Sequence, residues 1–321
     1  MKKMQKVVIP ITLVIVLSFL LSSNPVLLAH IFSENENALF LTMINKIKAQ
    51  TQLVAHDLSN NTKQAQEHAR IAEGLLTQKD PVVNTTWTSE ISERNPRITT
   101  DLLHSLNDLK IGIASPSPNS NPSSVQSKVT YIGNLLDEAV SARISKDLMD
   151  DPKTQALVLA NLGNELYKNY GAALGLASST VASMGGIGMP GMNMPSKGSM
   201  NMKMSGGKGM SEMNTVSEPI GTSRSPVTIK NLTAYHTAES LAAVAQQVFD
   251  KNLKPIAQTN ATKSISNIAN YLSQLEEAIN DKSSFMNVME LVHVKLHPTL
   301  ISTYNLGLST PGMKMNKSRQ E

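Results

Sequence analysis

Apolar residues recur three and four residues apart along most of this chain, which is the spacing of one buried face of an α-helix. The clearest run extends from Asn37 to Leu58. Asn60 to Thr62 supplies a capping signal for a second helix, and residues 150–152, Asp-Asp-Pro, form a strong start signal for a later one. The pattern predicts helices over residues 37–58, 60–76, 98–111, 125–146, 152–176, 232–252, 264–280 and 284–297, with a short helix after Pro298.

Three stretches lack this period. Residues 78–96 contain two prolines and predict a loop, SPSPNSNPSS at 115–124 predicts a flexible tether, and residues 180–226 are too rich in Gly, Pro and Ser to pack. The chain is therefore expected to contain a helical domain at 30–179, a disordered Met/Gly-rich linker at 180–226, a helical domain at 227–308 and a flexible tail at 309–321.

The two expected domains share a faint internal similarity. YIGNLLDEAV at 131–140 resembles NIANYLSQLEEAI at 267–279 if three residues are inserted, and LGL occurs at both 174–176 and 306–308. A degenerate duplication explains this likeness, and so does shared helical composition. The expected fold class is all-α, with two helical-bundle units joined by the Met/Gly-rich segment.

Composition agrees with a helical core. Hydrophobic residues make up 40% of the 321 residues but aromatic residues only 4%, and helices can pack on Leu, Ile, Val and Ala alone. The chain has no cysteine, which excludes disulfides, thiolate zinc sites and thiolate-held iron–sulfur clusters.

Residues 1–29 have the three-part plan of a secretory signal peptide. Lysines precede an apolar run from Val7 to Leu21, and Pro25 and small residues lead to a cleavage point after Ala29. The alternative is an uncleaved anchor, because Val7 to Leu28 is just long enough to span a bilayer. Either reading predicts an extracytoplasmic protein, secreted, periplasmic or on the cell surface. Five N-x-S/T sequons, at Asn60, Asn84, Asn231, Asn260 and Asn316, would allow glycosylation there.

The positive charge of the chain is largely a property of that segment. Without Lys2, Lys3 and Lys6 the chain has 26 basic and 25 acidic residues, and no basic stripe is left to bind nucleic acid.

Methionines are concentrated in the segment at residues 184–213, which holds nine of the 17 in the chain. Thioethers are soft donors that select Cu(I), and the closely spaced pairs on a Gly- and Ser-rich backbone would let several sulfurs converge. The predicted Cu(I) ligands are Met189, Met192, Met194, Met200, Met202, Met204, Met210 and Met213. The alternative is a linker, or an adhesive surface for a protein partner in the membrane or cell envelope.

A second candidate metal site lies in FMNVMELVHVKLHP. Met286, Glu290, His293 and His297 would fall on one stripe of a helix and supply a thioether, a carboxylate and two imidazoles for iron or zinc. Pro298 disfavours helical backbone at the residue before it, so we expect His297 to lie at a helix end. The alternative is two surface histidines, or two hydrogen-bonded ones between helices.

The remaining histidines carry weaker signals. His30 would become the first residue after cleavage, and its amine and ring nitrogen could chelate Cu(II). His56 and His68 lie 12 residues apart and could converge only if the chain folds back between them. His104 and His236 are isolated, and we expect each to be structural.

The sequence contains no convincing enzymatic motif. Gly186-x-Gly188-x-x-Gly191 matches the dinucleotide fingerprint, but Pro190 and Pro195 fall where its helix would run. The chain has no nucleophile elbow, no H-E-x-x-H and no phosphate-binding loop. We therefore expect a protein that is not an enzyme.

MNMPSKGSMNMKM at 192–204 resembles the methionine motifs of exported copper-handling proteins, and QEHARIAEGLL at 66–76 resembles helices of small periplasmic metal-binding proteins. The resemblance implies copper binding for buffering, delivery or tolerance. The methionine-motif proteins are often β-sandwiches, so it does not carry over the fold. The competing hypotheses are a cell-surface interaction or sensor module and a His/Glu-based iron or zinc protein.

Overall fold

The computed structural model describes residues 31–32, 35–81, 84–114, 122–185, 227–257 and 261–309. Helices account for most of them, so the all-α prediction is confirmed. The helices are α1 (Glu36–Asp57), α2 (Thr62–Thr77), α3 (Trp87–Arg94), α4 (Pro96–Ala114), α5 (Pro122–Arg143), α6 (Lys146–Met149), α7 (Pro152–Ala173), α8 (Ser178–Gly185), α9 (Leu232–Val248), α10 (Thr262–Asn280), α11 (Phe285–Met289) and α12 (His297–Tyr304).

Side-chain caps begin the long helices where the polar signals predicted them. Asn61 accepts a hydrogen bond from the backbone N–H of Gln64 at the start of α2. Asp151 does the same for Thr154 at 2.8 Å, directly before Pro152 at the first position of α7. Such caps satisfy the backbone N–H groups that the first helical turn leaves without a partner.

Two helices continue into π-helical turns, over Phe249–Leu253 after α9 and over Glu290–Leu296 after α11. Each π-helical stretch ends two residues before a proline, Pro255 or Pro298. Proline cannot donate a backbone hydrogen bond, and its ring crowds the carbonyl one turn earlier, so a widened turn relieves the conflict.

Two eight-residue helices lie where the sequence pattern predicted none, and so does the four-residue α6. In the predicted loop at 78–96, Thr86 caps α3, and its Trp87 and Ile91 are buried. In the predicted linker, α8 buries Val181 against α7 and Phe285. Each of these two helices has eight residues and too few apolar positions to show a period.

Helix α7 lies at the centre of the molecule and packs against α1, α8, α9 and α12. Buried residues from both sides of the 186–226 stretch, such as Phe40, Leu159 and Leu272, belong to one hydrophobic cluster. The predicted domains at 30–179 and 227–308 therefore share a single core. Their internal duplication stays a prediction.

The first and last described residues also meet. Ile31–Phe32 and Leu308–Ser309 form a two-stranded antiparallel pair, β1 and β2, in which Ile31 lies opposite Ser309. The predicted signal peptide, most of the tether and linker, and the predicted tail after Ser309 lie outside the described residues.

Candidate metal centre

The turn between α1 and α2 folds the chain back and brings two histidines together. His56 and Asp57 are the last two residues of α1, and the backbone N–H groups of Asn60 and Asn61 both donate to the Asp57 carbonyl, at 3.0 and 2.7 Å. Helix α2 then runs back along α1 and places His68 beside Asp57. The chain therefore folds back between His56 and His68, which is the condition for these two residues to converge.

The carboxylate of Asp57 is the centre of this cluster. His56 Nδ1 lies 2.8 Å from Asp57 Oδ1, and His236 Nδ1, from the second turn of α9, lies 3.2 Å from Oδ2. His68 Nε2 lies 3.3 Å from the same Oδ2. One carboxylate thus faces three imidazoles that come from three helices, and we call these four residues the His–Asp cluster.

Exposure falls steadily from one histidine to the next. The side chain of His56 is 67% exposed, that of His236 is 18% exposed, and His68 is fully buried beside a buried Asp57. The His236 ring stacks on that of His68 and meets that of His56 edge-on. The cluster therefore opens to solvent on the His56 side and is closed on the His68 side.

A chain of hydrogen bonds supports the buried histidine. His68 Nδ1 lies 2.6 Å from Gln50 Oε1, Gln50 Nε2 donates to Thr237 Oγ1 at 3.1 Å, and Thr237 donates to the Thr233 carbonyl at 2.8 Å. We call this chain the Gln50 relay. Burial lowers the pKa of His68, and the nearby Asp57 carboxylate partly offsets that shift.

Ligand atoms of His56, Asp57 and His236 all lie within 4.8 Å of one another. Within the described ranges, no other trio of His, Cys, Asp or Glu side chains comes so close. Imidazole with a carboxylate suits divalent ions such as Zn²⁺, Cu²⁺, Ni²⁺ and Fe²⁺. His68 Nε2 is a buried polar atom without a hydrogen-bond partner in the described part of the chain, whereas most buried polar atoms in proteins have one.

The C-terminal candidates are only partly brought together. The rings of His293 and His297 meet edge-on with centroids 5.0 Å apart, and His293 also packs edge-on against Tyr167. Met286 is 51% exposed, and the Glu290 carboxylate, 53% exposed, pairs with Lys295 at 3.2 Å. Metal binding by these four residues stays a prediction.

His297 is the first residue of α12, but it does not leave the helical region as Pro298 led us to expect. Its backbone is helical, its side chain is buried, and its Nε2 donates to the Ala160 carbonyl at 3.1 Å. The π-helical turn before Pro298 lets the chain stay helical there. Gly163 makes room for the ring, because a Cβ at that residue would lie 3.3 Å from His297 Nε2.

The other predicted ligands lie outside the described residues. These are His30, Met189, Met192, Met194, Met200, Met202, Met204, Met210 and Met213. The local pattern could have indicated that His56 and His68 meet, because the cap signal from Asn60 to Thr62 already separated the two helices that carry them. His236 lies 179 residues beyond Asp57, and no local pattern links the two.

Comparisons with family models, with curated proteins and with solved structures find no match to this chain. Among the described helices, none is both long enough and apolar enough to span a bilayer.

Proposed function

We propose that this chain is a helical metal-binding protein that holds a divalent transition-metal ion at the His–Asp cluster. The observation that carries the proposal is the convergence of imidazoles from α1, α2 and α9 on the single buried carboxylate of Asp57. A buried carboxylate is costly without compensating charge, and a bound cation supplies that charge. The exposed edge at His56 gives the ion a route from solvent, which suits uptake and release in buffering or delivery.

Copper is the favoured ion for two reasons, one from the cluster and one from the methionines. Three imidazoles and a carboxylate accept several late divalent ions, with Cu²⁺ bound most tightly among them by intrinsic affinity. The eight predicted methionine ligands add donors that select Cu(I). The chain re-enters the described fold at Val227, and Lys230 and Asn231 are held by the Ala173 carbonyl. His236 follows Asn231 by five residues, about 7.5 Å along α9, so the cluster lies close to the point where the chain re-enters the described fold.

Metal titration of the full chain tests the cluster. We expect the wild-type protein to bind one equivalent of Zn²⁺ or Cu²⁺ against a competing chelator, and His236→Ala to weaken that binding about 100-fold or more, because it removes a ligand. His104→Ala is the matched control. His104 also lies near a carboxylate, 3.3 Å from an oxygen of Asp108 one turn further along the same helix, but its side chain is 75% exposed. Equal Zn²⁺ or Cu²⁺ affinity for wild type and His236→Ala would contradict metal binding at the cluster.

A second arm of the titration tests the methionines. Replacing all eight with serine should abolish Cu(I) binding and leave the Zn²⁺ affinity of the cluster unchanged. If Cu(I) affinity persists in that variant, the methionine-rich stretch acts as a linker, as the interaction or sensor hypothesis holds.

A further inference from the structure

We infer that His68 is the fourth and innermost ligand of the ion, and that Gln50 is the residue that positions it. The inference rests on the proposed function, since it concerns the same ion. It adds a buried ligand to the more accessible His56 and His236, and it gives the Gln50 relay a function beyond packing.

Hydrogen bonds of Thr237 fix the orientation of the Gln50 amide. Thr237 donates its hydroxyl hydrogen to the Thr233 carbonyl, so its oxygen is left to accept from Gln50 Nε2. That bond turns the amide oxygen of Gln50 toward His68 Nδ1, 2.6 Å away. The direction of each hydrogen bond in the relay is therefore set by the backbone carbonyl at its end.

The orientation of Gln50 determines the tautomer of His68. An amide oxygen can only accept, so Nδ1 must carry the hydrogen. A neutral imidazole has a single N–H, which leaves a lone pair on Nε2. Metal-binding histidines almost always donate their other ring N–H to a carbonyl or carboxylate in this way, and the arrangement holds the ring in the orientation that coordination needs.

The lone pair on His68 Nε2 lies beside the carboxylate of Asp57. Nε2 of His68 is completely buried and lies 3.3 Å from Asp57 Oδ2, outside hydrogen-bonding geometry and without another hydrogen-bond partner among the described residues. Two electron-rich atoms face each other in a dry site, which is unfavourable unless a cation lies between them.

Two distances to the Asp57 carboxylate suit such an ion. Donors about 2.0–2.1 Å from a tetrahedral zinc ion lie about 3.3 Å apart along each edge of the tetrahedron. Asp57 Oδ2 lies 3.3 Å from His68 Nε2 and 3.2 Å from His236 Nδ1. Both separations match an edge. The ligand atoms of His56, Asp57 and His236 already lie within 4.8 Å of one another, and the ring of His68 must move toward them when the ion binds to complete a set of three imidazoles and one carboxylate.

Nitrogen NMR of the histidine rings in the full-length protein tests this without any mutation. We expect the metal-free protein to show His68 as the Nδ1–H tautomer, and saturating Zn²⁺ to shift the Nε2 resonance of His68 together with resonances of His56 and His236. A His68 Nε2 resonance that stays in place while the other two rings respond overturns the inference and leaves the proposed function intact. A protein in which no ring responds contradicts both.

Variants of the relay test the role of Gln50. Gln50→Met keeps the length of the side chain but removes the acceptor, so Zn²⁺ affinity should fall about 10–100-fold at unchanged stoichiometry. Gln50→Glu still accepts from His68 Nδ1 and should restore the affinity and the His68 tautomer. Gln155→Met is the matched control, since Gln155 is equally buried and hydrogen-bonded but remote in sequence from every ligand. If Gln50→Met binds Zn²⁺ as tightly as wild type, Gln50 only packs.

Discussion

Glu165 shows how one acidic residue of the central helix stays charged inside the bundle. Its carboxylate receives Lys46 from α1 at 2.5 Å and Lys168 from the next turn of α7 at 2.9 Å. Burial by itself would raise the pKa of Glu165, but the two ammonium groups outweigh it and lower the pKa to about 2. The pair with Lys46, whose side chains are both partly exposed, also ties α1 to α7 at the edge of the core.

This carboxylate makes stability depend on pH in the acid range. Because the folded pKa lies below the ordinary value of 4.5, the stabilisation is present above about pH 4.5 and is lost as pH falls toward 2. We expect Glu165→Gln to lower the free energy of unfolding at pH 7 by about 1–2 kcal/mol and to flatten its pH dependence between pH 4.5 and 2.

Denaturant unfolding at a series of pH values measures both effects. Glu93→Gln, which removes an exposed carboxylate, is the control and should follow the wild-type curve. A Glu165→Gln protein with the wild-type acid dependence would show that the two lysines contribute nothing to stability.

Arg143, the last residue of α5, is the corresponding buried cation. It donates to Glu90 of α3 at 2.7 Å and also to Glu36 of α1, and its guanidinium lies 4.3 Å above the ring of Phe40. Burial raises the pKa of Glu90, and Arg143 lowers it in part. Three helices are thus joined at a single side chain, which explains why the short α3 is held against the core.

At the scale of elements, the attachment of α8 to α7 depends on Gly171. A Cβ at this residue would lie 2.5 Å from Val181 Cγ2 and 3.1 Å from Phe285 Cε2, both in the packed core. Tyr167 adds a hydrogen bond from its hydroxyl to the Val181 carbonyl at 3.1 Å. Glycine therefore permits the close approach of the two helices.

We expect Gly171→Ala to destabilise the protein by about 1–3 kcal/mol through overpacking, although alanine is the better helix former. The control is Gly133→Ala in α5, where a Cβ meets nothing within 4 Å, and it should stabilise by about 0.5–1 kcal/mol. Thermal unfolding compares the two variants. The double variant Gly171→Ala/Val181→Ala should recover part of the loss, and a stabilised Gly171→Ala protein would contradict the close contact.

The long helices were predictable because their caps and periods are local. Asn61 and Asp151 cap where the polar signals lie, and α10 begins within two residues of its predicted start. The π-helical turns were not predictable from a period of 3.6 residues, because each adds a widened turn that the apolar pattern does not mark. Helix α8 was missed because a single buried residue, Val181, holds it in place.

At the scale of the whole molecule, the two halves of the chain are packed together. Helix α9, which follows the 186–226 stretch, packs against both α7 and α1, which precede it. Two hydrogen bonds cross between the halves: that from Gln50 to Thr237 in the Gln50 relay and that from His236 to Asp57 in the His–Asp cluster. Metal binding should therefore depend on both halves being folded.

A shared core predicts that both halves unfold in one step. Trp87 is the only tryptophan and reports on the first half by fluorescence, whereas far-ultraviolet circular dichroism reports on all helices. We expect the two denaturant transitions to coincide, and Zn²⁺ to move both midpoints together because it binds only the folded protein. Gly133→Ala serves as a reference, since it should shift both signals equally. Two separate transitions would instead support independent domains.

By itself, the sequence determined the helical class and most helix boundaries, because caps and apolar periods act over a few residues. It also indicated the methionine-rich stretch by composition alone. Only the tertiary structure decided that the halves share one core and that His236 joins His56 and Asp57, beside His68. Those contacts lie between residues far apart in the chain, and packing of helices in three dimensions, which no local pattern records, brings them together.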